Sequence, residues 1–328
     1  MGFSQILGHY KQLEVLRRAW VCGRLHHAYL FVGTEGVGKK TIALCLAKAI
    51  HCSTASGDFC GACADCARIQ DGNHPDVRII EPLTGKKEIS IQQVRELEKK
   101  LNFRSFSGKK KVAVLDPATL MNLPAQNALL KTLEEPPENS LIILIAASAG
   151  GLLPTLRSRC LRLTFGPIAR DLVAGFLVAR KGMKNETAEF LAAISMGSLG
   201  AVLGIETSEL LERRKGWVRL LSSVDFGDCR AATDAAEIFA ASKEDSLKFL
   251  EWAQSWYRDL VVYAVTKNPQ NMVNIDMLPQ IHEQSTKLDM ERTLAQISET
   301  RGAVGRIQRN LNRRMVMESL FLNAVGKR

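Results

Sequence analysis

Apolar segments in the first half of the chain alternate between the length typical of strands and the spacing typical of helices. Short apolar runs predict buried strands at 27–33, 76–82, 110–116, 140–148 and 160–165. Apolar positions at helical spacing predict helices at 40–50, 90–103 and 123–137, with Ser90 as the N-cap of the second. This alternation predicts a parallel sheet with helices on its faces.

The pattern changes after Gly166 and Pro167, where only helices are predicted. Short helices at 169–182, 185–197 and 199–206 form one set, and longer helices are predicted at 208–223, 231–241, 243–266 and 290–325. We therefore predict three domains: an α/β domain over 1–166, a small helical domain over 167–207 and a helical domain over 208–328.

Composition and charge narrow the class of protein. The chain contains no apolar run near the roughly 18 residues that a membrane span needs, and its N-terminus lacks the features of a signal peptide, so we expect a cytoplasmic protein. Residues 1–165 hold 22 Lys and Arg against 14 Asp and Glu. This excess permits a polyanion partner, although a solvated basic surface explains it equally well. The run Lys109–Lys111 precedes a strand, where lysines are typically a solvated edge.

A glycine-rich loop, GTEGVGKKT over residues 33–41, lies between the first predicted strand and its helix. It follows the phosphate-binding pattern G-x-x-x-x-G-K-[ST] up to the last position. Gly33, Gly36 and Gly38 allow backbone N–H groups to surround a phosphate, and Lys39 supplies a positive charge. The alternative is a glycine-rich turn that binds nothing.

Two departures from the pattern affect catalysis. Lys40 stands where a hydroxyl normally binds Mg²⁺, and Thr41 comes one residue late, which is about 100° around a helix. Asp116 ends the third strand, but Pro117 occupies the place where a working ATPase carries the glutamate that activates water. Nucleotide binding without hydrolysis fits both departures, while Asp116 could equally be a strand-end turn residue.

Four cysteines have the spacing C-x7-C-x2-C-x2-C at Cys52, Cys60, Cys63 and Cys66. In a cytoplasmic protein, two successive C-x-x-C steps indicate a metal site, and four thiolates indicate structural Zn²⁺. Ala67 follows the last cysteine where ferredoxin-type sequences have proline, which favours zinc over an iron–sulfur cluster. Reduced cysteines without a metal are the remaining alternative.

The segment LLPTLRSRC over residues 152–160 places Arg157 and Arg159 just before the fifth strand. Arginines on such a loop are commonly neutralised by neighbouring acids. An arginine at the rim of a nucleotide-binding domain can also act in trans on the γ-phosphate of a neighbouring subunit.

Taken together, the glycine loop, the four cysteines, LPAQNALLKTLEEPP over 123–137 and LLPTLRSRC resemble the clamp-loader subunits of bacterial DNA polymerase III, members of the AAA+ family. The resemblance is specific over about the first 165 residues and architectural beyond them. It implies a RecA-like α/β domain with the zinc module 52–66 inserted, a small helical lid domain and a helical collar that oligomerises.

The resemblance also implies roles for residues. Arg159, with Ser158 and Cys160 around it, would be an arginine finger for an adjacent ATPase subunit, and the four cysteines would bind zinc. ATPase subunits of this family carry Thr after the loop lysine, an Asp-Glu strand end and a lid arginine, whereas this chain has Lys40, Pro117 and Gly200 there. Whether ATP binds Gly33–Lys39 is left open.

These departures favour a noncatalytic subunit of the polymerase holoenzyme that acts as a stator. Its implied partners are the gamma/tau and delta subunits, the sliding clamp and, through the complex, primer–template DNA. The alternative is an active AAA+ ATPase, either a gamma/tau-like motor or a helicase-like remodeller.

Overall fold

The computed structural model describes residues 2–54, 57–224, 229–286 and 288–325. Its sheet has five parallel strands in the order β2-β3-β4-β1-β5. The strands are β1 Ala28–Val32, β2 Val77–Ile80, β3 Lys111–Leu115, β4 Ser140–Ala146 and β5 Leu161–Thr164. All five predicted strands are confirmed, and the predicted α/β class with a helix-rich C-terminal half is confirmed with them.

Helices connect the strands and make up most of the described chain after β5. In chain order they are α1 Tyr10–Val21, α2 Lys39–His51, α3 Ala64–Gln70, α4 Ile91–Asn102, α5 Leu123–Glu134, α6 Pro154–Arg157, α7 Arg170–Lys181, α8 Asn185–Ile194, α9 Leu199–Val202, α10 Thr207–Val224, α11 Cys229–Ala240, α12 Lys243–Thr266, α13 Leu278–Thr286, α14 Met290–Gln308 and α15 Arg313–Val325. None of these helices, within the described ranges, is long and apolar enough to cross a membrane.

Burial explains why the strands read as continuous apolar runs. Every residue of β1, β3 and β4 is buried, because helices cover both faces of a parallel sheet. The edge strand β5 is largely exposed, at its apolar residue Leu161 as well as at its polar positions. The central strands therefore form a rigid base for the loops that leave their carboxyl ends.

Local sequence sets the starts of two helices that border the candidate sites. Ser90 caps α4 as predicted, since its hydroxyl accepts a hydrogen bond from Gln93 N while the Gln93 side chain accepts one from Ser90 N. Asn122 caps α5 by accepting from Ala125 N, and Pro124 lies in the first turn.

Several predicted helix boundaries are wrong. The helix predicted over 290–325 is two helices, because Asn310 adopts a left-handed conformation with φ 62° that ends the first. The helix predicted over 199–206 covers only Leu199–Val202, and α5 ends at Glu134 before its prolines. Helices α1, α3, α6 and α13 were not predicted.

The chain divides into two compact units. Unit 1 comprises residues 1–183 and 195–203, and unit 2 comprises 184–194 and 204–328. The core of unit 2 includes a cluster of large aromatic side chains: Phe239, Phe249, Trp252, Trp256 and Phe321. The division into three domains stays a prediction.

Candidate functional site

The glycine loop leaves the carboxyl end of β1 and runs into α2, as predicted. Glycine is required at Gly33, because a Cβ there would lie 2.2 Å from the carbonyl oxygen of Phe165. Gly36 and Gly38 have positive φ angles of 73° and 106°, which favour glycine. The backbone therefore has the conformational freedom that a phosphate-binding loop needs.

Lys39 is buried and folds back onto the loop that carries it. Its ammonium donates to the carbonyl oxygens of Gly33 and of Thr34, the second at 2.7 Å. Burial lowers the pKa of Lys39, while the carboxylates of Asp116 and Glu35 act in the opposite direction. The Lys39 ammonium would meet the outer phosphates of a bound nucleotide. In this structure it is already hydrogen-bonded to the loop's own carbonyl oxygens.

The side chains that follow differ from those of a typical magnesium site in a phosphate-binding loop. Lys40 pairs with Glu81 across 2.6 Å, and Thr41 is exposed. Asp116 lies near Lys39 and Lys40. Burial raises the pKa of the Asp116 carboxyl, and the positive charge of Lys40 acts in the opposite direction. Lys40 thus brings a cation to the place where a hydroxyl ligand would be needed.

A cavity of about 730 Å³ adjoins the glycine loop within unit 1. Besides the loop itself, its lining includes Ile6, Leu7, Phe176 and Leu203. This volume lies in the range of small-molecule and cofactor sites, and apolar side chains typically predominate in such sites. The cavity has the size for a nucleotide, and Thr41 and Asp116 are also among its lining residues.

The segment 198–200 packs directly on the glycine loop. The Ser198 hydroxyl donates to Glu35 O at 2.6 Å, and Gly200 N donates to Gly36 O at 2.9 Å. A Cβ on Gly200 would lie 2.7 Å from Gly36 Cα, and a Cβ on Gly36 would lie 2.5 Å from the Ser198 hydroxyl. An arginine at position 200 therefore has no room in this arrangement, because two backbones meet there.

Gly200→Ala tests this backbone contact. We expect it to lower the free energy of unfolding by about 1–3 kcal/mol, since the added methyl group must push two backbone segments apart. Urea denaturation followed by circular dichroism measures the change. Gly175→Ala is the matched control, because nothing lies within 4 Å of a Cβ at that helical position. Equal stabilities of the two variants would contradict the contact.

The four predicted cysteines converge as one cluster. Their sulfur atoms all lie within 4.8 Å of one another, and Cys52 Sγ and Cys63 Sγ are 4.0 Å apart. Tetrahedral Zn–S bonds of about 2.3 Å place sulfur atoms about 3.8 Å apart, so the cluster is compatible with a zinc ion. Hydrogen bonds from Thr54, Ala62 N and Cys63 N lower the pKa of Cys60 to about 7, and burial raises the pKa of Cys66 to about 12.

A second cluster beside the cysteines was missed by the sequence analysis. The buried rings of His51 and His74 lie 4.4 Å apart, and a ligand atom of each lies within 4.8 Å of an Asp76 oxygen. Burial would raise the pKa of Asp76, but hydrogen bonds from Phe106 N and Ser107 hold it at about 2. The only signal in the sequence was that His51 directly precedes Cys52. The cluster connects the cysteine module to the end of the sheet.

Arg159 lies between α6 and β5 on a different surface of unit 1. Its guanidinium pairs with Glu134 at 2.6 Å and donates to Thr155 O at 2.7 Å, and its side chain is 34% exposed. The Ser158 hydroxyl donates to Thr155 O at 2.9 Å, and burial raises the pKa of the Cys160 thiol to about 12. Ser158 and Cys160 therefore support the turn, while Arg159 is accessible from outside.

A shallow cavity of about 570 Å³ surrounds Arg159, lined also by His26, His27 and Glu134. It shares no lining residue with the cavity at the glycine loop. Arg159 is thus separate from the phosphate loop of its own chain.

Comparison with known proteins decides the family. A model described as DNA polymerase III, delta subunit, matches residues 8–169, and one described as its C-terminal part matches 209–325. DNA polymerase III subunit delta' of Pseudomonas aeruginosa is 30% identical over 306 residues, which cover 90% of each chain. The chain belongs to the DNA polymerase III delta-prime family. The resemblance inferred from the sequence is confirmed.

Other relatives agree with membership of the delta-prime family. Subunit delta' of Bacillus subtilis is 29% identical over 302 residues, which are 91% of each chain. DNA polymerase III subunit tau of Escherichia coli is 37% identical over 161 residues, but these cover 49% of this chain and 25% of tau. The similarity to delta-prime relatives extends along nearly the whole chain, and the similarity to tau along half of it.

Proposed function

We propose that this delta-prime family member is a noncatalytic clamp-loader subunit that donates Arg159 to ATP held by an adjacent ATPase subunit. In this role the chain is a stator, and the neighbouring ATPase subunits drive the conformational changes of the complex. The loader would then open the sliding clamp and place it on primer–template DNA during replication.

The observation that carries the proposal is the position of Arg159. Its guanidinium is partly exposed, and its surroundings share no residue with the cavity at the glycine loop. An arginine placed this way is suited to contact a nucleotide that another chain holds. Such a finger stabilises the negative charge that develops as the γ-phosphate is transferred.

The phosphate loop supports the noncatalytic part of the proposal. Lys40 is paired with Glu81, and Pro117 follows Asp116 where a residue that activates water would be needed. The contact of Gly200 with Gly36 leaves no space for a lid arginine. Nucleotide binding in the 730 Å³ cavity is compatible with these features, whereas hydrolysis lacks the usual hydroxyl ligand for Mg²⁺ at position 40 and a base at position 117.

The cysteine cluster fits a structural zinc ion. Cys52, Cys60, Cys63 and Cys66 would hold the metal, which would stabilise the module by closing its loop and would contribute no chemistry. Partners follow from the same proposal: subunits of the gamma/tau and delta types would bind this chain, with its helical C-terminal part as the oligomerisation region.

An assay on the isolated chain separates this proposal from an active ATPase. We expect phosphate release from ATP with Mg²⁺ at background rates, because neither a metal ligand at position 40 nor a base at position 117 is present. Lys39→Ala is the comparison, since a working phosphate loop depends on that lysine. Turnover that disappears in Lys39→Ala would establish the alternative, an ATPase motor.

A further inference from the structure

Glu134 lies at an unfavourable place for the stability of its own helix. It is the last residue of α5, where a negative side chain meets the negative end of the helix dipole. Its ion pair with Arg159 is partly exposed on both sides, with side chains 51% and 34% exposed, and such pairs add little to folding stability. Folding stability therefore does not account for this ion pair.

The end of α5 is a rigid support for the Glu134 carboxylate. The side chain of His27, directly before β1, forms a hydrogen bond with the backbone carbonyl of Leu133. Pro136 and Pro137 follow the helix and cannot extend it, since proline lacks an N–H and has a fixed φ. The backbone of Glu134 is thus held from both sides.

The guanidinium of Arg159 is held at two of its nitrogens. Nη2 lies 2.6 Å from Glu134 Oε1, and Nη1 donates to Thr155 O at 2.7 Å and to Ser158 Oγ at 3.4 Å. Thr155 and Ser158 belong to the segment that carries Arg159, whereas Glu134 contacts it from a different helix. Because a guanidinium has five N–H bonds, these three acceptors leave donors available for phosphate oxygens.

We propose that Glu134 is a positioning residue that orients the Arg159 guanidinium toward ATP held by the adjacent ATPase subunit. This role rests on the proposed function of Arg159 and adds a second residue to it. A long arginine side chain has many rotamers when it is partly exposed. Holding it in one orientation before ATP arrives lowers the barrier to a step that needs it.

The opposite role for Glu134 is a latch that keeps Arg159 away from the phosphates. The two roles predict changes of opposite sign when the carboxylate is removed. A latch would be released, so the rate of hydrolysis would rise. A positioning contact would be lost, so the rate would fall.

Steady-state ATP hydrolysis by the reconstituted loader, with clamp and primed DNA, tests the positioning role. We expect Glu134→Ala to lower kcat about tenfold and to leave KM for ATP within about twofold, because the orientation of Arg159 matters in the transition state. Glu134→Gln should lose less, since its amide oxygen still accepts a hydrogen bond. Higher rates in both variants, or a wild-type rate in Glu134→Ala, would overturn the positioning role.

Glu135→Ala is the matched control for the loss of a carboxylate at this surface. Glu135 directly follows Glu134, is exposed and forms no ion pair within the described ranges. Its variant should keep the wild-type kcat. An equal loss in Glu135→Ala and Glu134→Ala would assign the effect to the charge of the surface and overturn the proposal.

Combining Glu134→Ala with Arg159→Ala separates this inference from the proposed function. If Glu134 acts through Arg159, its loss should have no further effect on kcat once the arginine is absent. A further loss in the double variant would show that Glu134 acts by another route. A wild-type rate in Arg159→Ala would overturn the proposed function itself, whereas a slow Arg159→Ala complex beside an unaffected Glu134→Ala complex would overturn this inference alone.

The mobility of the Arg159 side chain in the full chain alone gives a readout without catalysis. Its Nε–H signal in nuclear magnetic resonance can be assigned by its loss in Arg159→Ala. The heteronuclear NOE of that signal should indicate a rigid side chain in the wild type and a mobile one in Glu134→Ala. Equal mobility in the two chains would overturn the positioning role. Thermal denaturation checks that the Glu134 variants remain folded.

Discussion

Arg159→Ala is expected to reduce the ATPase rate of the reconstituted clamp loader by about a thousandfold or more, the magnitude typical of losing an arginine finger. The chain should still fold, because Arg159 is partly exposed and its ion pair is with the exposed carboxylate of Glu134. Exposed pairs of this kind contribute about 0–1 kcal/mol to stability. The measurement is steady-state phosphate release by the complex with clamp and primed DNA.

Arg157→Ala provides the matched control. Arg157 lies two residues earlier, at the end of α6, and is exposed. The Arg157→Ala substitution removes the same charge from the same segment, so a general electrostatic effect on assembly would appear in both variants. Each complex should be purified by size exclusion before the assay to show that the subunit is present. Equal rates in the Arg159→Ala and wild-type complexes would remove the proposed role.

Cys63→Ser is expected to abolish zinc binding and to lower the thermal midpoint of the chain by several degrees. A serine hydroxyl is a poor zinc ligand, and metal binding contributes to folding free energy when the site forms only in the folded chain. For a unit of 150–250 residues, each kcal/mol corresponds to about 2–4 °C. Elemental analysis of the purified chain and differential scanning calorimetry give the two measurements.

Cys22→Ser controls for the loss of a thiol. Cys22 is exposed and lies outside the cluster, so this variant should keep both its zinc and its midpoint. Wild-type chain that contains no zinc after purification without chelators would contradict the metal assignment. A Cys63→Ser variant that retains zinc would show that the remaining cysteines suffice.

Local patterns made the elements of the first half predictable. The strands β1, β3 and β4 are apolar at nearly every position because they are buried on both faces, and this signal is strong in any sequence. The boundary between α14 and α15 was not predictable in the same way. Asn310 ends the first helix through its own left-handed conformation, and the flanking sequence continues the helical periodicity on both sides.

The candidate sites also differ in how far the sequence alone could predict them. The glycine loop and the four cysteines are contiguous motifs, so their residues could be named from spacing alone. Glu134 and Arg159 are far apart in sequence and meet across 2.6 Å, and Asp76 holds a loop about thirty residues later through four hydrogen bonds. The residues next to Arg159 and next to Asp76 in the sequence do not specify these distant partners.

The amino-acid sequence by itself determined the strand and helix pattern, the loop that lacks a magnesium hydroxyl, and the cysteine spacing suited to zinc. These features depend on neighbours within a few positions. Only the tertiary structure decided that Gly200 lies against Gly36, that Arg159 lies outside the cavity at its own glycine loop, and that Phe103 and Phe106 are exposed to solvent. The order of strands in the sheet sets those relations, because it brings together segments that are distant along the chain.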